Sequence, residues 1–432
     1  MSRSVDRRSF LALAGGAVGL AAAGCARPEA ASSSDPVVRF GYVSPQSGTL
    51  AAFGESDNYV LGRMRAQFAR GLAIGGRRHR VEILTRDSQS DADRARTVAR
   101  ALIAEGRVDI MLVAATPDTT IPVAQVCEGA GVPCISTAAA WQPWWSGRHG
   151  DSAKPFTWTW HFFSGLEDDV PTYLDMWRQV ETNKVVGALW PDDADGQAAA
   201  DPRQGFPPEL AKLGFTLVDP GRYQSLTDDF SPQIAKFKKA KVEILTGVPQ
   251  PPDFATFWKQ AADEGFRPKV VTIGKALLFP AFVDAMVPSA EGVASEVWWS
   301  PSHPFSSSLT GESAAQLAAD YIATTGKQWT QPIGFVHALF EVAAHVMGKA
   351  KSPGDRRGVA AAISKASVDT IVGPVAWGRG GAHNPVPNVA KTPLVGGQWR
   401  RGEQFPFDLV VVSNTLEPQV KAAGRLEPIP AP

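Results

Sequence analysis

Three side chains late in the chain have types and spacing suited to metal chemistry. His337, Glu341 and His345 fall at i, i+4 and i+8, along one stripe of a helix. Two neighbours four apart can share an ion. Three along a straight stripe span about 12 Å at about 1.5 Å per residue, too far for a single ion. At most one His–Glu pair with outside ligands would serve. A polar helix face with an i,i+4 charge pair accounts for the pattern more simply. His337, near the helix start, is also a candidate to face a ligand. Cys127 and Cys134 are seven apart, which fits no metal or redox motif. A bridge over the turn between them is feasible, but two buried free thiols are the simpler expectation. Gly-x-Ser-x-Gly, His-Glu-x-x-His, Cys-x-x-Cys and a phosphate-cradling glycine loop are all missing beyond the first 25 residues. The expectation is therefore no enzyme, no cofactor and no resident metal.

Tryptophan points elsewhere. The chain has 13 Trp against 5 Tyr, and Trp141, Trp144, Trp145, Trp158, Trp160, Trp298 and Trp299 are grouped. Large flat side chains give contact area at little entropic cost, which suits recognition. For one Trp, core filling is the simpler reading; for a cluster on a loop, binding gains weight. Basic and acidic residues balance at 43 each, so no basic footprint for nucleic acid exists. Hydrophobic content of 44% is ample for a buried core.

The elements that must position these residues begin after a leader. Arg7 and Arg8 precede Ser9-Phe10-Leu11, an uncharged apolar run follows, and Ala22-Ala23-Gly24-Cys25 ends it. That pattern is a secretory signal over residues 1–25, too short and glycine-rich to span a membrane. It resembles a twin-arginine signal with a lipobox, which would make Cys25 the lipid-bearing first residue of an exported, membrane-tethered protein. Residues 26–36, rich in Ala, Ser and Pro, read as a flexible tether. Beyond them, apolar strand runs alternate with helical patterns, the signature of βαβ units and parallel sheets. The alternation stops at a Trp-, Pro- and Gly-rich loop, 138–154, and resumes with a period-two strand, Phe156 to Phe162. Two doubly wound α/β lobes in tandem are the simplest account. The tail after Asn414 reads as extended and poorly ordered.

Four segments then carry a resemblance. Gly41-Tyr42-Val43-Ser44-Pro45-Gln46-Ser47-Gly48, Arg86-Asp87-Ser88-Gln89-Ser90-Asp91, Ala130-Gly131-Val132-Pro133 and Ile371-Val372-Gly373-Pro374 come in the order seen in the leucine/isoleucine/valine-binding family. The chain therefore resembles type I periplasmic solute-binding proteins from about Val37 to Val412. The resemblance implies a two-lobe clamshell with three crossovers and a ligand in the cleft. It places 37–155 and 293–373 in an N-terminal lobe, and 156–292 and 374–432 in a C-terminal lobe. It implies a monomer that delivers ligand to ABC permease subunits in the membrane, or alternatively a receptor of the same fold feeding a membrane sensor. Ligands of open α/β sheets bind beyond the carboxyl ends of the strands. The loops 44–54, 114–120, 137–145, 191–197, 247–253 and 274–278 are then the candidates.

Within those loops the family's polar partners for an amino acid are changed. Its carboxylate-holding Ser and Thr align with Pro117 and Ala140, its ammonium-binding Glu with Lys275 or Ala276, and its Tyr with Gln250. An ammonium buried without a carboxylate is costly, so a plain α-amino acid fits poorly unless Asp118 or Asp193 substitutes. Phe53, Thr116, Pro117, Ala139, Ala140, Trp141, Trp145, Gln250, Lys275 and His337 are the expected ligand-binding residues, with Trp144 beside them. They suggest an apolar or aromatic solute, and Lys275 would suit a carboxylate on it. A solvated loop lysine is the plainer account of Lys275.

Overall fold

The computed structural model describes residues 31–286 and 290–430. The leader, Cys25 and the first part of the expected tether lie outside the described residues. The described end of that tether folds back, with Ala31 N–H donating to the Ala69 carbonyl at 3.0 Å.

The first lobe opens with β1 (Val37–Ser44), α1 (Asp57–Phe68), β2 (Leu72–Ile74) and β3 (Arg77–Asp87). Tyr42 Oη donates to the Asp57 carboxylate at 2.8 Å and Ser44 Oγ donates to its other oxygen, tying β1 to the start of α1. Gly75 and Gly76 join β2 to β3 with φ of 57° and 76°. A two-residue hairpin with both centres left-handed favours glycine. Then come α2 (Ala92–Ala104), β4 (Ile110–Ala114), α3 (Pro117–Ala130), β5 (Cys134–Thr137), α4 (Trp141–Ser146) and β6 (Thr159–Phe162).

The chain crosses to the second lobe through α5 (Leu166–Trp177), β7 (Val185–Leu189), α6 (Ala194–Ala199), α7 (Phe206–Lys212), β8 (Thr216–Val218) and α8 (Ser231–Ala240). It continues with β9 (Ile244–Gly247), α9 (Pro251–Asp263), β10 (Val270–Ile273), α10 (Pro280–Ala285) and β11 (Ala294–Val297). It returns to the first lobe with α11 (Ala314–Thr325), α12 (Pro332–Lys349), α13 (Arg356–Ser364), β12 (Ser367–Thr370), β13 (Gly373–Ala376) and β14 (Val389–Ala390). A last crossing adds the hairpin β15 (Val395–Arg401) and β16 (Phe407–Ser413) to the second lobe.

Two seven-stranded sheets result, ordered β14-β6-β5-β4-β1-β3-β2 and β16-β15-β11-β10-β9-β7-β8. Both are parallel at their centres. Helices cover both faces, so central strands such as β4 and β9 are buried throughout. Along α12 nearly every residue is buried, because it packs into the main core of the first lobe.

Four expectations change. The run from Phe156 becomes a strand only at Thr159, and it is the first lobe that owns it: Cys134 pairs with Thr159 and Thr137 with Phe162. β11 belongs to the second sheet, and β14 to the first. The described lobes are therefore 37–162 with 298–390, and 166–297 with 395–430, not the divisions at 155, 292 and 373. Sheet membership is decided by pairing, which a break in composition does not reveal. The Trp-rich loop contains a helix, α4. The tail is packed: Val420 and Leu426 are buried, and Ile429 N–H donates to the Lys269 carbonyl at 2.8 Å. Cys127 and Cys134 are buried free thiols. Among the described residues no helix is long and apolar enough to cross a membrane.

Candidate ligand site

A cleft of about 580 Å³ lies between the lobes, where the carboxyl ends of both sheets converge. From the first lobe, Phe53 follows β1, Thr116 and Pro117 follow β4, and Ala138, Ala139 and Ala140 follow β5. From the second, Asp195 stands on α6, Val248 follows β9, and Lys275 and Leu278 follow β10. The crossovers add Phe163, Leu166, Asp169, Glu296 and Trp298. Three of the cleft loops hold a non-glycine residue at positive φ: Thr116 at 55°, Ala138 at 59° and Lys275 at 52°. Such conformations cost of order 1–3 kcal/mol each and collect at functional sites.

The first-lobe wall is apolar and aromatic. Phe53 stacks on Trp298 with centroids 6.2 Å apart and planes 17° apart. Phe163 meets Trp298 edge-on at 5.0 Å. Two donors within this wall have no partner: Thr116 Oγ1 and Trp298 Nε1. Their residues are only 2% and 3% exposed. A buried donor left unpaired costs about 1–3 kcal/mol, so an acceptor from a ligand would be favoured there.

The second-lobe wall is charged. Lys275 Nζ is 2.8 Å from Asp193 and 2.6 Å from Asp195. Burial works against its charge, yet the two carboxylates more than offset this and hold the ammonium above its ordinary pKa. Burial lifts Asp195 to about 6 in spite of Lys275. Asp118, in the first turn of α3, faces the same group from the other lobe, its carboxyl also raised by burial. Asp169 is raised well above the usual carboxylate range, first by burial and then by the charge of Glu296. Glu296 accepts from Tyr173 Oη, and from Ser295 Oγ at 3.0 Å.

A cleft of this kind between two such sheets agrees with a match along the sequence. The sequence model of a periplasmic binding protein family matches residues 37–398. The chain belongs to the periplasmic binding protein family. This binding protein is similar in fold to leucine-binding protein LivK from Thermotoga maritima, with a TM-score of 0.69 and 16% identity over 88% of this chain and 99% of that one. A solute-binding protein of an ABC transporter from Rhodopseudomonas palustris, in complex with 3,4-dihydroxybenzoic acid, matches with a TM-score of 0.67 and 17% identity over 90% and 99%. LivJ from Streptococcus pneumoniae, in complex with isoleucine, matches with 0.66 and 15% over 87% and 99%. The fold is thus a type I periplasmic binding protein.

Of the residues expected from the sequence, Phe53, Thr116, Pro117, Ala139, Ala140 and Lys275 line the cleft of this binding protein. Trp141, Trp144, Trp145, Gln250 and His337 do not. Trp144 stacks on His161 at 4.9 Å, and the Arg148 guanidinium lies 4.5 Å from its ring centre and 3.8 Å from that of Phe156. Trp145 packs edge-on against Phe156 at 5.1 Å. Trp141 covers Gly165 and donates from Nε1 to Glu167 at 2.8 Å. These indoles hold α4 to the lobe and to α5, which is a structural task. Gln250 is buried at the start of α9.

The stripe on α12 is not a solvated charge pair: His337 and Glu341 are buried. His337 Nε2 meets Ser307 Oγ at 2.8 Å, while Glu341 accepts from Ser308 Oγ at 3.0 Å and from Ile371 N–H at 3.0 Å. Burial pushes His337 down to about 4. Among the described residues no three His, Cys, Asp or Glu stand close enough to hold a metal. Lys275 is no solvated loop lysine, and its charge is already taken.

Asp169, Glu296 and Phe163 were not singled out in the sequence, and Trp298 was named only as one of the grouped tryptophans. Asp169 ends the run Glu167-Asp168-Asp169, which reads as ordinary acidic enrichment at a helix start. Glu296 carries a legible signal, a lone charge inside the apolar strand Val293 to Trp299.

Proposed function

We propose that this binding protein is the extracytoplasmic solute-binding component of an ABC importer, holding a small solute with an apolar or aromatic body between its lobes. The observation that carries the reading is the interlobe cleft, walled by Phe53, Phe163 and Trp298 at the carboxyl ends of the strands. Burying one aromatic face against such a wall contributes of order 1–3 kcal/mol. Related proteins of this fold were solved with isoleucine and with 3,4-dihydroxybenzoic acid, each a small solute with an apolar or aromatic body. The family name agrees with a location outside the cytoplasm. The leader adds a route of export and, through Cys25, a lipid tether. The family's way of working supports a monomer that docks on membrane permease subunits. A carboxylate on the solute loses its expected partner, because Asp193 and Asp195 already occupy Lys275.

The test is a thermal-shift screen across amino acids, amines, aromatic acids, amides and aliphatic acids, followed by calorimetry. Ligand that binds only the folded state raises its melting point. A concentration-dependent rise, lost on mutation of Phe53 and Trp298 to Ala, is expected. A flat response across all classes would overturn the reading.

A further inference from the structure

We infer that the solute carries a cationic group, and that Asp169 and Glu296 receive it. This rests on the solute-binding reading above and names the class of solute. Both carboxyl groups line the cleft. Neither has a cation beside it: Lys275 is held by Asp193 and Asp195, and Lys391 by Asp168 at 2.6 Å and Glu167 at 3.1 Å. Glu296 has only hydroxyl donors, and among the described residues no donor reaches the side-chain carboxyl of Asp169. Loss of water, and then the neighbouring charge of Glu296, raise the Asp169 carboxyl. Acidic groups so placed are costly while the site is empty and favourable once a positive charge enters.

An independent observation bears on the other end of the solute. Thr116 Oγ1 and Trp298 Nε1 are unpartnered donors within the aromatic wall, buried to 2% and 3% exposure. They call for an acceptor, as Asp169 and Glu296 call for a cation. An organic amine with an apolar body and an acceptor satisfies all four. The objection to an amino acid raised by Lys275 is thereby weakened, because the missing carboxylate comes from α5 and β11 instead of the loop after β10.

The test uses matched charge series on the full protein. Phenethylamine, 2-phenylethanol and 3-phenylpropanoate form one series; butylamine, butanol and pentanoate form another; phenylalanine and leucine are added as zwitterions. Calorimetry is run on wild type, Asp169→Asn and Glu296→Gln, with circular dichroism to check that each folds. The expected result is preference for the amine-bearing member of a series by at least tenfold, a loss of at least tenfold in each variant, and improved binding of the carboxylate by Glu296→Gln. That last gain would not arise from a merely structural role. Carboxylates or alcohols binding wild type as tightly as amines would overturn the inference and leave the solute-binding reading standing. Amine binding unchanged within twofold in both variants would do the same. Silence of every compound, in these series and in the broader screen, would overturn both.

Discussion

His337 and Glu341 stand one helical turn apart, both buried, and burial shifts their titrations in opposite senses. The folded imidazole sits near 4 against an ordinary 6.5, because burial disfavours its charged form. Between pH 6.5 and 4 the unfolded chain binds a proton that the folded chain refuses, so stability falls as pH falls through that window. The full effect is about 3 kcal/mol. Burial raises Glu341 from 4.5 to about 7. There the folded chain keeps a proton that the unfolded chain releases, so stability falls as pH rises from 4.5 to 7, again by about 3 kcal/mol. The prediction is a pair of slopes. His337→Gln should flatten the acid-side fall, and Glu341→Gln should flatten the fall toward neutrality, in urea denaturation at pH 4 to 7.5. Parallel curves for wild type and either variant would count against burial as the cause. At this scale the sequence was readable only in part. Spacing placed His337, Glu341 and His345 on one stripe, but it could not say that the stripe faces Ser307, Ser308 and the backbone of Ile371. Lys275 was readable as a cleft residue, but Asp193 and Asp195 as its partners were not, since each is an ordinary acid at a helix start.

Helix α4 shows how an element can be held by a neighbour's missing side chain. Trp141 and Gln142 both reach Glu167 at the start of α5, and Leu166 N–H donates back to Gln142 Oε1 at 3.0 Å. The clamp closes because Gly165 leaves room for the indole. A Cβ there would lie inside the van der Waals envelope of Trp141 Nε1 and Cδ1. Gly165→Ala should therefore destabilise by about 1–3 kcal/mol through overpacking. Most of that penalty should vanish in a Trp141→Ala background, because contacting sites are not additive. A double-mutant cycle by chemical denaturation measures this, and full additivity would contradict it. The clamp also explains why the element was hard to read. Trp-Gln-Pro-Trp-Trp-Ser has poor helix formers and a proline, so it resembles a loop until tertiary contacts hold it. By contrast α8, Ser231–Ala240, places apolar Ile234 and Phe237 three apart on its buried side, a pattern legible without tertiary contacts.

Across the whole molecule the crossing between the lobes passes through Trp298, which directly follows β11 of the second sheet and stacks on Phe53 of the first lobe. An indole at that junction should report ligand entry and any movement of one lobe on the other. We expect the solute found by the thermal screen to change intrinsic fluorescence, Trp298→Phe to remove most of the change, and Trp144→Phe to keep it. A signal that survives in Trp298→Phe would move the aromatic wall elsewhere. At this scale the sequence was most legible. The alternation of strands and helices revealed two parallel sheets, and strand ends revealed most cleft loops. The crossovers were misplaced, and with them went Phe163, Asp169 and Glu296, while Trp298 stood out only as one of the grouped tryptophans.

The first sheet takes its edge strand β14 and its long covering helix α12 from chain that has already passed through the second lobe. The second sheet, in turn, waits for β15 and β16. During synthesis neither half can bury its apolar faces before nearly the whole polypeptide has left the ribosome. Contacts this distant in sequence slow folding and leave sticky intermediates. The two lobes therefore finish together, and a chain released early has no finished half to fall back on. Whatever meets this polypeptide before its last two strands are made meets both lobes unfinished.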